Sequence, residues 1–250
     1  MATASPTSGA RLHVLYRKED LDGMRLAGKV VVVLDVLFAT TTIVTALARG
    51  AADVIPTLDE WRARAVAAEL PEGSFVAAGE LNAITLDGFA PPTPLALSEQ
   101  GLAGRTLVYS TTNGTVALEN ARGAAHVYAA ALVNADAVVE RVVRAHPDET
   151  VLLVCSGSAG AVNLEDLVGA GCLVDRFAAH WRGETELTDA ALAARAVYRS
   201  GTPFDVLMRA RVGRMMRDQQ LVHEVEFAAR ESTFDVVPVV GADGRLRAHA

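Results

Sequence analysis

Residues 29–42 read KVVVVLDVLFATTT. Four consecutive valines and a leucine leave no polar face. A strand built from them must be covered on both sides, as in a parallel sheet flanked by helices. The run stops at Asp35, and the hydroxyl-rich segment after it opens a helix predicted over residues 38–49. A strand that ends in a polar residue and turns into a helix is the repeating unit of open α/β folds, whose ligands bind at the carboxyl ends of the strands.

The unit recurs outward from this stretch. Strands are predicted over residues 53–55, 75–78, 105–110, 126–128 and 150–155, and helices over 58–70, near 114–121, over 135–145 and over 164–179. Residues 188–230 read mainly helical with a break near Gly201 to Pro203, and FDVVPV at 234–239 reads as a last strand. Pro238 cannot donate to a ladder, which places that strand at a sheet edge. The expected fold class is α/β, a three-layer α/β/α arrangement with a mostly parallel sheet. It forms one domain over 11–250 behind a disordered tail at 1–10. An internal echo joins ARGAADV at 48–54 to ARGAAHV at 121–127, with Thr pairs upstream at Thr40-Thr41 and Thr111-Thr112. It reads as a duplicated βαβ unit, or as a common helix ending followed by a strand.

Composition narrows the function. The 250 residues are 51% hydrophobic, enough for a sizeable core, and the net charge of -7 argues against a nucleic-acid partner. No apolar run reaches the ~18 residues of a membrane span, and MATASPTSGA at the start lacks the pattern of a signal peptide. Two cysteines, Cys155 and Cys172, make no disulfide framework and suit a reduced, cytoplasmic protein. The six histidines show no metal-ligand spacing. A small-molecule substrate is the remaining class of partner, and edge strands with exposed apolar helices are consistent with a homodimer.

Three strand ends carry the polar residues. The first has Asp35 with Thr40 and Thr41. The second, TLVYSTTNGT at 106–115, has Thr111, Thr112, Asn113 and Gly114. The third, LLVCSGSAGAVNLED at 152–166, has Cys155, Ser156, Ser158, Glu165 and Asp166. Hydroxyls, Gly and Asn at helix starts cap backbone N–H groups, and they also present those groups to an anion. Both readings stand for these turns. Asp35 ends a very apolar strand, where a carboxylate is costly unless paired or bound to metal, and Glu80 follows a strand in the same way. Together Asp35, Glu80 and Asp166 could hold Mg²⁺, which prefers oxygen ligands and substrate phosphate. Acids in the first turn of a helix, such as Glu165 and Asp166, are also favourable with no ligand present. Cys155 is a candidate nucleophile at a strand end, although a buried structural Cys is the commoner case. Residues 79–94, GELNAITLDGFAPPTP, form the longest irregular stretch and read as a binding loop.

In several segments the sequence resembles the 2-phosphosulfolactate phosphatase (ComB-type) family. These are VLDVLFATTT at 33–42, GELN at 79–82, TTNGT at 111–115, VCSGSAGAVNLEDLVGAG at 154–171 and HEVEFAARESTFDVVP at 223–238, in family order over nearly the whole chain. The resemblance implies a three-layer α/β fold and Mg²⁺-dependent hydrolysis of a phosphate ester, with Asp35, Glu80, Asn113 and Asp166 on matching motif positions. The chain departs from the family pattern where D-V-L-R-A-T-T and G-E-R-N-G carry arginine: Phe38 and Leu81 stand there, and Ala83 replaces the second glycine. Two guanidiniums facing an anionic substrate are worth about 1.5–3 kcal/mol apiece.

The expected activity is therefore that of a Mg²⁺-dependent phosphatase acting on a small phosphate monoester other than phosphosulfolactate. Asp35 or Glu80 would be the base, and Asn113 and Thr112 would stabilise the phosphoryl oxygens. Phe38 and Leu81 would line an apolar pocket, and Asn82 would lie beside them. The alternative is a repurposed lyase, cyclase or isomerase using carboxylate acid/base chemistry on a larger apolar metabolite. A third reading is a binding protein with a dead site.

Overall fold

A computed structural model describes residues 11–181 and 186–249. The predicted tail at 1–10 lies outside the described residues. Among the described residues eleven strands form one sheet: β1 Arg11–Leu15, β2 Val30–Leu34, β3 Asp53–Thr57, β4 Phe75–Leu81, β5 Ile84–Thr85, β6 Thr106–Ser110, β7 His126–Ala130, β8 Val151–Cys155, β9 Glu186–Leu187, β10 Val237–Val240 and β11 Leu246–His249. The α-helices are α1 Ala39–Ala48, α2 Glu60–Glu69, α3 Pro94–Ser98, α4 Gly114–Asn120, α5 Ala135–Ala145, α6 Leu164–His180, α7 Asp189–Tyr198, α8 Pro203–Arg209, α9 Arg211–Asp218 and α10 Val222–Ala228. None of the described helices is long and apolar enough to cross a membrane.

The strand order is β5-β4-β6-β3-β11-β10-β7-β2-β8-β1-β9. Strands β7, β2, β8, β1 and β9 form one parallel group and β4, β6 and β3 a second. The β10–β11 hairpin joins them, antiparallel to β7 on one side and to β3 on the other. The two groups therefore run in opposite senses along the sheet. Their carboxyl ends still meet, because the sheet curls around α1 and α4: one core cluster contains Val31 and Val33 of β2, Leu107 and Tyr109 of β6, Ile43 of α1 and Leu118 of α4.

The unbroken apolar run of β2 has its explanation here. Val31 and Val33 face α1 and α4, whereas Val30, Val32 and Leu34 face the outer helices α5 and α6, and all five are fully buried. Burial of each is worth about 1.5–3 kcal/mol. Helix α1 is buried along nearly its whole length despite four threonines. Their hydroxyls bond backbone carbonyls, Thr41 to Val36 at 2.5 Å, Thr42 to Pro92 at 2.9 Å and Thr45 to Thr41 at 2.7 Å, so no polar group is orphaned.

Three expectations change. The strand containing Pro238 is interior, between β7 and β11. Its ladder with β7 is the single pair Val239–Tyr128, so the missing Pro N–H removes little. The stretch 79–94 is less irregular than its composition suggests, since Glu80 and Leu81 continue β4 and residues 84–85 turn back as β5. The Thr pairs of the internal echo occupy different places: Thr40 and Thr41 lie in the first turn of α1, whereas Thr111 and Thr112 precede α4. The two units share the strand–helix–strand order, which does not by itself confirm a duplication.

Candidate active site

A pocket of about 470 Å³ opens where both parallel groups end. Asp35 follows β2, Glu80 closes β4, Thr112 and Asn113 follow β6, and Ser158, Asn163 and Glu165 follow β8. Phe38, Leu37, Asn82, Val212, Met215 and Arg211 complete the wall.

Asp35 is half-buried at the pocket floor. Its carboxylate accepts from the backbone N–H groups of Ala39 and Gly114, the first residues of α1 and α4. Two helix N-termini thus point at one carboxylate, which favours its charge. Burial, and then Glu80 and Glu165 nearby, outweigh this and push the carboxyl up to about 7. Gly114 is what permits the arrangement: a Cβ there would lie 2.5 Å from Asp35 Oδ2 and closer still to Ala39 Cβ.

Glu80 is buried and its oxygens are fully engaged. Oε1 accepts from Thr112 N at 2.7 Å; Oε2 accepts from Ala83 N at 2.5 Å and from Thr112 Oγ1 at 3.2 Å. Thr112 Oγ1 in turn accepts from Asn82 N at 3.1 Å. The β4–β5 turn is thereby tied to the β6–α4 turn. That turn runs through Asn82 at φ 53° and Ala83 at φ 64°. Ala83 is strained there, because a Cβ disfavours the left-handed region. Ala83→Gly is expected to stabilise the protein by about 0.5–1 kcal/mol in chemical denaturation; a lower midpoint would show that the turn carries no strain.

Glu165, in the first turn of α6, is buried, and its Oε2 has no hydrogen-bond partner. Burial pushes its carboxyl up, against the pull of Arg211. Asp35, Glu80 and Glu165 therefore crowd one floor. Among the described residues no three acidic, His or Cys side chains are grouped so as to hold a metal ion. The donor set suits magnesium in another way, because that ion takes one or two carboxylates and fills its remaining positions with water and phosphate. The unpartnered Glu165 oxygen is free to be one of them.

Asp166 is placed differently from the expected triad. It is fully buried and does not line the pocket. Oδ1 accepts from Val36 N at 3.0 Å and Oδ2 from Gly157 N at 3.1 Å, so it staples the turn after β2 to the turn after β8. Burial raises its carboxyl well above the usual range. Cys155 alternates onto the other face of β8, into the core beneath α5 and α6, and burial raises its thiol far from the thiolate. It does not line the pocket.

The hydroxyls divide in the same way. Thr40 Oγ1 accepts from Asp35 N at 2.9 Å and donates to Asp35 O at 3.0 Å, and Ser156 Oγ donates to Leu34 O at 2.9 Å. Thr111 and Thr115 bond each other's backbone across the α4 start. With Thr41, these hydroxyls bond backbone in the turns, and none of them lines the pocket. Gly114 is likewise off the pocket surface but sets its geometry. Leu81 is 57% exposed and does not line this pocket; it lies on an adjoining apolar cleft with Leu58 and Trp61 that shares Glu80 and Thr112 with it. Of the two apolar replacements, only Phe38 lines the pocket.

Two cations were not anticipated. Lys18, on a 3₁₀ turn after β1, is buried and donates to Asn113 Oδ1 at 3.0 Å. With its oxygen so engaged, Asn113 presents its Nδ2 donor to the pocket. Arg211 begins α9 and donates to Ser158 Oγ and, at 3.5 Å, to Asn163 Oδ1. Neither stands in a recognisable motif. Arg211 belongs to a run with Arg209, Arg214 and Arg217 that in sequence reads as a solvated helix face.

Comparison with known proteins gives one consistent result. A family model described as 2-phosphosulpholactate phosphatase matches residues 15–243. A protein of Symbiobacterium thermophilum named probable 2-phosphosulfolactate phosphatase is 38% identical over 217 residues, 86% of this chain and 92% of that protein. Proteins of the same name from Carboxydothermus hydrogenoformans and Deinococcus radiodurans are 35% and 36% identical, over 91% and 84% of this chain and 92% and 87% of their own lengths.

Proposed function

Since the chain belongs to the 2-phosphosulfolactate phosphatase family, a family of phosphoric monoester hydrolases, we propose that it hydrolyses a small phosphate monoester in the pocket at the strand ends, with Asp35 as the acid/base group. The observation that carries this reading is the place of Asp35 on the pocket floor beneath the N-termini of α1 and α4, where burial and the nearby acids push its carboxyl up to about 7. A group that titrates close to working pH accepts a proton from an attacking water and returns it efficiently. Glu80 is the weaker candidate for that task, because Thr112 and Ala83 occupy both its oxygens. Its part is to hold the two turns together. Asn113, oriented by Lys18, donates to a phosphoryl oxygen, whereas the Thr112 hydroxyl is spent on Glu80.

Mg²⁺ belongs to the proposal, with Glu165 as its protein ligand and Asp35 and Glu80 beside it; when bound it would supply positive charge to the phosphoryl oxygens. Two buried, free cysteines suit a reducing compartment such as the cytoplasm. Phosphate release from a panel of small phosphate monoesters, with Mg²⁺ and with EDTA, tests the reading. The expected result is turnover of at least one ester that EDTA abolishes and Mg²⁺ restores. Turnover indifferent to EDTA would remove the metal, and no release across the panel would remove the phosphatase reading for this chain.

A further inference from the structure

The apolar cleft that adjoins the pocket is built in the same part of the fold. Strands β3, β4 and β6 run parallel, with Thr57 and Gly79 both in register with Ser110. Their carboxyl ends form the base of the cleft, at the edge of the sheet where α/β folds bind ligands. Leu58 and Trp61 come from the turn into α2, Leu81 from the end of β4 and Leu86 from the residue after β5. Leu86 is buried, with its N–H on Gly79 O at 3.1 Å. Gly79 permits this packing, since a Cβ there would collide with Ser110 O and crowd Leu86.

The walls are apolar and open. Leu58, Trp61 and Leu81 are 50%, 76% and 57% exposed, and the exposed Ile84 sits opposite Leu81 in the β4–β5 hairpin. Single exposed hydrophobics are ordinary, but a group of them beside a pocket marks a binding surface. The charges in the cleft are already engaged. Arg64 donates to Glu60 Oε1 at 2.7 and 2.8 Å and to Asp87 O at 2.7 Å, and Asp59 Oδ1 accepts from Arg62 N at 2.7 Å as the cap of α2. A neutral group suits such a cleft better than an anion does, and the open Trp61 ring suits an aryl group. Continuity with the pocket says what the occupant belongs to. Glu80 and Thr112 line both spaces. Their polar atoms bond each other and the backbone of Asn82 and Ala83, so a ligand can lie across them. The pocket measures about 470 Å³ and the cleft about 490 Å³, and each has the size of a site for a whole small molecule. Deepening the phosphatase reading, on which it rests, we propose that the substrate is a phosphate monoester whose alcohol carries a neutral aryl or similarly bulky apolar group. The phosphate lies beside Asp35 and Asn113, the alcohol chain crosses Glu80 and Thr112, and the apolar group packs on Trp61, Leu58 and Leu81.

The test sets phenylalkyl phosphates with two to five methylenes against alkyl phosphates of the same chain length, which keep the leaving oxygen and lack the ring. Wild type is expected to prefer the best phenylalkyl ester by about 10- to 100-fold in kcat/KM, the worth of burying one ring. The gain should sit in KM, because the ring is remote from phosphorus. In Trp61→Ala and in Leu81→Arg the preference should collapse toward unity, and Trp61→Phe should keep part of it. Unchanged melting temperatures would show that these variants fold. Calorimetric binding of the matching phenylalkyl- and alkylphosphonates separates the two readings. Turnover without an aryl preference overturns the proposal and leaves the phosphatase reading standing. A Trp61-dependent aryl preference in phosphonate binding, with no ester hydrolysed, keeps the cleft assignment and removes the phosphatase reading. Absence of both removes both. An equal loss on the two kinds of ester in Trp61→Ala would also overturn the proposal, as would a wild-type dimer that Trp61→Ala splits, since the cleft would then belong to a second copy of the chain.

Discussion

Asp35→Asn is expected to lower phosphate release by about 10³-fold or more and, in the same protein, to raise stability at pH 8 in EDTA. The first effect follows from losing the group that moves the proton. The second follows from what holds Asp35 near 7: burial first, then Glu80 and Glu165. In the unfolded chain an Asp ionises near pH 4, so between roughly pH 4 and pH 7 the folded protein binds the extra proton. Its contribution to stability is present below pH 4 and is lost as pH rises through 7. An amide carries no charge to bury. The Asp35 carboxyl opens onto the pocket, which tempers the cost, and its amide replacement keeps only one of the two N–H acceptors. A gain of about 2 kcal/mol at pH 8 is therefore expected, vanishing near pH 4. The check is a melting series on wild type and variant from pH 4 to 8, alongside phosphate release. Parallel curves at all pH values would mean that Asp35 does not titrate anomalously, and full activity in the variant would remove it from the chemistry.

Gly114→Ala should be the most damaging single-methyl change near the site. The added Cβ would fall 2.5 Å from Asp35 Oδ2, 2.9 Å from Asp35 Cβ and nearer still to Ala39 Cβ. All three belong to the β2–α1 turn, whose backbone is locked by Thr40 on Asp35 and by Asp166 on Val36. With no flexible side chain to give way, α4 must move off α1. Overpacking of this kind costs about 1–3 kcal/mol. The movement also withdraws the Gly114 N–H from Asp35, so activity should fall by about 10²-fold beyond the loss of stability. Denaturation midpoints and turnover at a temperature where the variant is folded measure the two parts separately. A stable, fully active Gly114→Ala would show that the α1–α4 junction is looser than its geometry indicates.

These expectations differ in how far the sequence anticipates them. That Asp35 ends a buried strand is legible in KVVVVLD, because four valines and a leucine can be covered only between two helical layers, and the residue at the end of such a strand faces the ligand crevice. The strands at 106–110, 126–130 and 151–155 and the helices at 135–145 and 164–180 are legible by the same periodicity. So is the family, whose motifs sit at strand ends where local chemistry is dense. Less legible is what each polar residue does there. Thr40, Thr41, Thr111, Ser156 and Asp166 have the types and spacings of an anion or metal site, yet they bond backbone within their own turns or to the adjoining one. Side-chain type signals hydrogen-bonding capacity but not its direction, and capping uses the same residues as binding.

Hydrophobic periodicity and motif order are local properties of the chain, and they suffice to read an α/β protein of the 2-phosphosulfolactate phosphatase family with Asp35 and Glu80 at its strand ends. The closure of the fold puts Pro238 inside the sheet, turns Cys155 to the core, sets Glu165 rather than Asp166 at the pocket, and brings Arg211 to its wall and Lys18 to Asn113 from distant parts of the chain. Those outcomes depend on how two parallel groups of opposite sense curl around α1 and α4. Contacts across that closure join residues far apart in sequence, and no local pattern encodes which face of a helix or strand will meet them.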